Sequence, residues 1–296
     1  MINLLNKAAK SLPYPIFLRL FYLKYFLSGL RDEERVRRHL GIPLLSASNL
    51  ESYKQSDTLF ILGSGSSVNA ISGERWQAIA KHDTVGFNFW LFHPFVPKMY
   101  FIEAISSAEQ PAAHATYHEL ANRRASDYSQ TLKVATNLKK DAVFGGDWWK
   151  DMHTVHAIPI AARNADEIRT GLQYLEKRGL FAPSTRIEFL YKQASTLSAL
   201  IALAIRMQYQ KIVLCGIDLR DSRYFYQDTS LYALQETPQF LAPDIPHPTN
   251  VSIHWNTPVK EVVLEMHKLL LQPRGIELYV ENRSSALYPE IPELAI

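Results

Sequence analysis

Four stretches of this chain carry residue types suited to holding an anionic ligand. The first is Gly63-Ser64-Gly65-Ser66-Ser67. Glycines let the backbone approach a phosphate closely, free N–H groups at a helix start favour an anion, and three hydroxyls add donors. A tight turn with no ligand has the same pattern. The second is Asn88, whose amide both donates and accepts and so suits a phosphate or sugar hydroxyl, or equally a turn. The third is Gln193-Ala194-Ser195-Thr196, where Ser195 or Thr196 either caps a helix or turns its hydroxyl and the helix dipole on a carboxylate or phosphate. The fourth is Asp218, followed by a loop-rich stretch that ends near His247 and His254. A histidine there suits a general base near neutral pH, although the chain has ten histidines to choose from.

Several chemistries are excluded by spacing. The glycine turn lacks the third glycine of a dinucleotide fingerprint, and Asn88 stands where a nicotinamide-binding chain usually has an acid for the ribose. It lacks the Gly-Lys-Ser/Thr end of a phosphate-binding loop and the closing glycine of a nucleophile elbow. No Asp-x-Asp occurs anywhere in the chain, which disfavours a cation held on a sugar diphosphate. What remains is a nucleotide bound in another way.

These residues need strand ends to hold them. From residue 57 onward, short apolar runs alternate with helical stretches. Residues 58–62, 84–88, 98–103, 132–136, 211–217 and 275–280 read as strands, and 153–161 is a weaker candidate. Residues 70–81, 106–125, 195–209 and 259–271 read as helices. The alternation predicts an α/β, Rossmann-like fold, a mostly parallel sheet with helices on both faces. Residues 57–218 and 259–296 form its nucleotide-binding domain. Residues 219–258 break the pattern with Tyr224, Phe225, Tyr226, Tyr232, Phe240 and five prolines. An aromatic, loop-rich insertion of this length predicts a lid.

The chain has 296 residues, 47% hydrophobic and 21% charged, enough to bury a core and too apolar for disorder. A net charge of +3 is too balanced for a nucleic-acid-binding surface. The single cysteine, Cys215, rules out an intramolecular disulfide framework and a multi-cysteine metal site, and predicts a reducing compartment, the cytoplasm. The basic excess is local. Residues 1–41 hold eight Lys/Arg against three acids, net +5. Within them, residues 16–30 are apolar and aromatic but interrupted by Arg19 and Lys24, too short and too charged to span a membrane. This segment predicts either a helix in a membrane interface or one packed on the body or on a second copy.

Taken together, these motifs resemble bacterial sialyltransferases of glycosyltransferase family 42, over roughly residues 57–282. The family's Gly-Asn-Gly-Pro-Ser stands here as Gly63-Ser64-Gly65-Ser66-Ser67, its strand-end Asn as Asn88, and its Gly-Ile-Asp as Gly216-Ile217-Asp218. Counting back from that triplet puts its Arg-x-Thr-Ser-Gly on Gln193-Ala194-Ser195-Thr196-Leu197. The resemblance implies a single-domain, GT-A-like variant of the fold. It also implies an inverting, metal-independent transfer of an acidic keto-sugar from a CMP donor to a surface glycan (lipopolysaccharide or capsule) or lipid-linked acceptor, without a cofactor. By the same match, Tyr224 and Tyr226 would hold the departing phosphate. His254, in His254-Trp255-Asn256-Thr257, would be the base, with His247 the alternative. Gly63, Ser64, Gly65, Ser67, Asn88, Gln193, Ser195, Thr196 and Asp218 would line the donor site. Ser64, Gln193 and Glu103 depart from the family's Asn, Arg and Asn, which widens the expected donor from sialic acid to Kdo and its relatives. A pyrophosphokinase-type enzyme and a non-catalytic binding protein are the rivals on a similar fold. The implied location is cytoplasmic, at the inner membrane face.

Overall fold

In this computed structural model the chain is described over residues 12–25, 30–105, 107–108, 111–138, 148, 151–160, 162–183, 187–220, 223–228, 230–232, 248–250 and 257–294. Three helices come first: α1 (Tyr14–Lys24), α2 (Leu30–Leu40) and the short α3 (Ala47–Glu51). Then follow β1 (Thr58–Leu62), α4 (Gly73–Ile79), β2 (Asp83–Phe87), β3 (Met99–Glu103), α5 (Pro111–Arg123), β4 (Leu132–Thr136), β5 (Met152–Thr154) and β6 (His156–Ile158). The remainder is α6 (Ala165–Glu176), β7 (Phe189–Tyr191), α7 (Thr196–Arg206), β8 (Lys211–Cys215), α8 (Val259–Met266, prolonged by a π-turn over His267–Leu271) and β9 (Glu277–Val280).

Seven strands form one sheet in the order β5-β4-β3-β2-β1-β8-β9, and every neighbouring pair is parallel. Successive side chains on a strand point to opposite faces, so Leu59 and Ile61 join one core and Phe60 and Leu62 the other. The central strands β1 and β8 are near-continuous apolar runs because both faces are covered. Helix α7 is buried along all eleven residues and packs in the first core. Helix α5 contributes Tyr117, Leu120 and Ala121 to the second. The α/β, Rossmann-like expectation therefore holds.

From β1 the chain steps outward through β2, β3, β4 and β5, then returns to lay β8 on the other side of β1. That reversal opens a crevice at the carboxyl ends of β1 and β8, the place where open α/β sheets bind ligands.

Four details depart from expectation. The helix read over 70–81 is shorter: Ala70 closes a 3-10 turn over Ser66–Ala70, and α4 runs over Gly73–Ile79 from the N-cap Ser72, whose Oγ accepts from Arg75 N–H. The strand candidate at 153–161 divides into β5 and β6, because β6 leaves the main sheet to pair with β7. Helix α6 and strand β7 were not read from the sequence. The α6 start carries a usable signal, since Asn164 Oδ1 accepts from Glu167 N–H at 3.0 Å, while three-residue β7 has no periodicity to detect. Finally, β8 stops at Cys215 because Gly216 turns with φ +63°.

Candidate active site at the carboxyl edge

The two strand ends at the crevice are interlocked. Gly63 N–H donates to Cys215 O and Gly65 N–H to Gly216 O, each at 2.8 Å. A Cβ on Gly63 would lie 2.3 Å from Ile217 Cδ1, and one on Gly65 would lie 2.5 Å from Asp218 Oδ2. These glycines are needed first by the neighbouring chain. Asp218 bolts the turn from the other side: Ser67 donates to its carboxylate from N–H at 2.9 Å and from Oγ at 2.5 Å. Asp218 and Ser67, expected as donor contacts, are thus engaged with each other.

Beside this joint lies a cavity of about 460 Å³, within the range of small-molecule sites. Of the residues singled out from sequence, Ser64, Gly65, Asn88, Ser195, Asp218 and Tyr224 line it. Gly63 lies beneath it, packed under Gly216 and Ile217. Gln193 is buried and spends its side-chain oxygen on Ile160 N–H at 3.1 Å. It holds the end of β7 to the chain after β6. Tyr226 is 1% exposed and stacks on Tyr224 with ring centroids 5.3 Å apart. Tyr224 therefore faces the cavity and Tyr226 backs it. Burial pushes both phenols up from their usual range. His247 and His254 lie outside the described residues, as does most of the expected lid. The described start of that insertion is fixed to the body: Phe225 N–H donates to Ser64 O, Asn69 Nδ2 donates to Phe225 O, and Phe225 is fully buried.

Three successive strands end in polar side chains on this wall. Asn88 follows β2, Glu103 closes β3 and Asn137 follows β4. Asn137 Nδ2 donates to Glu103 Oε1 at 2.6 Å, and Lys192 Nζ pairs with the same oxygen at 2.8 Å. The corner after Asn88 is clamped by Arg124, whose guanidinium donates to the carbonyls of Leu91, His93 and Pro94. Arg223 and Thr249 complete the polar lining. Sequence reasoning missed Asn137, Arg223 and Thr249. Asn137 directly follows β4, so the strand-end rule that selects Asn88 selects it as well.

The opposite wall is the N-terminus of α7. Ser195 occupies the N-cap position without making a capping bond, and Ala194 before it has φ +62°. Ser195 Oγ and Thr196 Oγ1 are both buried with no hydrogen-bond partner. First-turn N–H groups, a dipole in an apolar surrounding and two unsatisfied hydroxyls together favour an anion. Backbone strain gathers at the same edge. Among the described residues five non-glycines have positive φ, and four of them are Asn88, Asn137, Ala194 and Leu219. A leucine in that region costs about 1–2 kcal/mol, and such outliers cluster at functional sites.

Both carboxylates lining the cavity are engaged, Glu103 by Lys192 and Asn137, Asp218 by Ser67. Among the described residues no group of three His, Cys, Asp or Glu is placed to hold a metal ion. Neither a protein-family model nor a curated protein matches this chain.

Proposed function

We propose that this chain is an inverting glycosyltransferase that moves an acidic keto-sugar from a CMP donor to a hydroxyl of a surface glycan acceptor, on the cytoplasmic side of a membrane. The observation that carries the reading is the carboxyl-edge cavity at the sheet's reversal, closed on one side by a helix N-terminus with two unbonded hydroxyls. Such a donor has two anionic groups, a phosphate and a carboxylate. The cavity offers Ser195 and the α7 amides to one, with the buried Thr196 directly behind Ser195 in the chain, and Arg223, Asn88 and Ser64 to the other or to the ribose.

In the proposed step the acceptor oxygen attacks the anomeric carbon while the bond from that carbon to the phosphate oxygen breaks. CMP leaves with the electron pair. The acceptor proton passes to a histidine, which the sequence resemblance assigns to His254, with His247 the alternative. Tyr224, kept protonated by its burial, donates a hydrogen bond to the departing phosphate. Tyr226 holds the Tyr224 ring by stacking. In this scheme hydroxyls, amides and one guanidinium carry the developing charge, and no metal is required.

The test is to incubate the protein with CMP-sialic acid or CMP-Kdo in excess chelator and measure CMP release. Release with chelator present is expected. A requirement for Mg²⁺ and a diphosphate ligand would favour a pyrophosphokinase-type enzyme instead, and CMP binding without release from any donor would favour a binding protein.

A further inference from the structure

Among the described residues, the basic N-terminal segment contributes none to the cavity lining, and its helix α1 is two-faced. Inward, Leu18 and Tyr22 are buried. Tyr22 Oη donates to Pro159 O at 3.0 Å, Tyr25 Oη donates to Ala157 O at 2.5 Å, and the Tyr22 ring stacks on Tyr174 with centroids 5.3 Å apart. The helix therefore has a defined seat beside β6 and α6. Outward, Ile16, Leu20 and Leu23 are 49%, 49% and 56% exposed. Their spacing of four and three residues puts them in one stripe. Among the described residues only one other large hydrophobic, Leu231, is exposed to this degree.

We infer that the Ile16-Leu20-Leu23 stripe is a membrane-docking face that inserts into the headgroup region of an anionic bilayer. The charge pattern selects this occupant. Helix α1 contains Arg19 and Lys24, both exposed, and no acid, and the segment up to residue 41 carries net +5. A second copy docked by two-fold symmetry would set these cations against their own kind. A bilayer with anionic headgroups meets the apolar stripe and the cations at once. Eleven residues of helix are suited to lying in the interface plane, and among the described residues no helix is long and apolar enough to cross a membrane. The inference is independent of the donor assignment.

The full chain is mixed with sedimentable vesicles of phosphatidylcholine, with or without phosphatidylglycerol, and the bound fraction is measured. Binding is expected with phosphatidylglycerol and is much weaker without it. Leu20→Ser/Leu23→Ser lowers partitioning by about tenfold or more. Arg19→Gln/Lys24→Gln lowers it by about fivefold per charge on anionic vesicles. Both variants keep the parent's melting temperature, because the inward face is untouched. Equal binding by parent and leucine variant, or none by the parent, overturns the proposal. So does a lipid-free, concentration-dependent dimer that Leu20→Ser dissociates, since the stripe would then cover a second copy.

Discussion

The start of α7 gives a prediction in which stability and binding move in different directions. Ser195 Oγ and Thr196 Oγ1 make no hydrogen bond within the protein although both are buried. A buried hydroxyl without a partner costs about 1–3 kcal/mol. Replacing Thr196, 1% exposed, by the near-isosteric valine removes that cost and leaves the packing volume almost unchanged. Thr196→Val is therefore expected to raise unfolding free energy by up to about 1 kcal/mol. An N-cap serine replaced by alanine usually costs about 1 kcal/mol, but Ser195 makes no capping bond, so Ser195→Ala is expected to cost less than half of that. Binding, by contrast, is expected to weaken in both variants. If each hydroxyl donates to a ligand phosphate or carboxylate, its loss removes about 1.5–3 kcal/mol, roughly a 10- to 100-fold weaker Kd. Urea unfolding at constant m-value gives the first quantity and titration calorimetry with CMP gives the second. A Ser195→Ala variant that loses more than about 1 kcal/mol of stability while binding CMP as tightly as the parent would refute the reasoning, because the hydroxyl would then serve the fold alone.

Gly65→Ala forces a Cβ to within 2.6 Å of Asp218 Cγ and 2.8 Å of Gly216 O. It should cost about 1–3 kcal/mol in denaturant unfolding and loosen the cavity, whereas Gly73→Ala, with nothing within 4 Å, should be neutral or slightly stabilising. Asp83, fully buried at the amino edge of β2, accepts from Lys98 Nζ and Tyr209 Oη and from the N–H groups of Gln55 and Ser56. Asp83→Ala should therefore destabilise by about 3–5 kcal/mol, with CMP affinity unchanged at temperatures below the variant's melt. His93 is buried between Trp76 and Trp90, and desolvation, helped by Arg124, pushes its pKa down to about 4. Between that value and the ordinary 6.5 the unfolded chain binds a proton that the folded chain refuses. Stability is thus full above about pH 6.5 and falls as pH drops toward 4, by about 3 kcal/mol in all. His93→Asn should flatten that limb in pH-dependent unfolding.

Much of this architecture was legible because parallel strands buried on both faces must be continuous apolar runs. Residues 58–62 and 98–103 fit that pattern, and 132–136, which includes Lys133 and Thr136, fits it more loosely. What failed to show was the pairing that makes a strand of a three-residue segment. His156-Ala157-Ile158 reads as a continuation of β5 until β7, more than thirty residues away, draws it out of the sheet. The candidate site divides in the same way. Asn88 and Ser195 are selected by the rule that ligands lie beyond strand carboxyl ends and Tyr224 by the family resemblance, and all three line the carboxyl-edge cavity. Gln193, Ser67 and Asp218 looked equally suitable, yet each spends its polar atoms on distant backbone or on the other. Polar residue type announces hydrogen-bonding capacity, while only the fold reveals which partner consumes it.

By itself the sequence determined the alternation of strands and helices and the turn at Gly63–Gly65, because these rest on local periodicity and backbone freedom. It also determined the concentration of positive charge before residue 41. Only the tertiary structure decided that the two glycines are required by the β8 turn, that Tyr226 backs Tyr224 instead of lining the cavity, and that Ile16, Leu20 and Leu23 are left facing outward. Those outcomes depend on contacts between segments far apart in the chain, whose free energies are set by what the folded neighbours leave uncovered or unsatisfied.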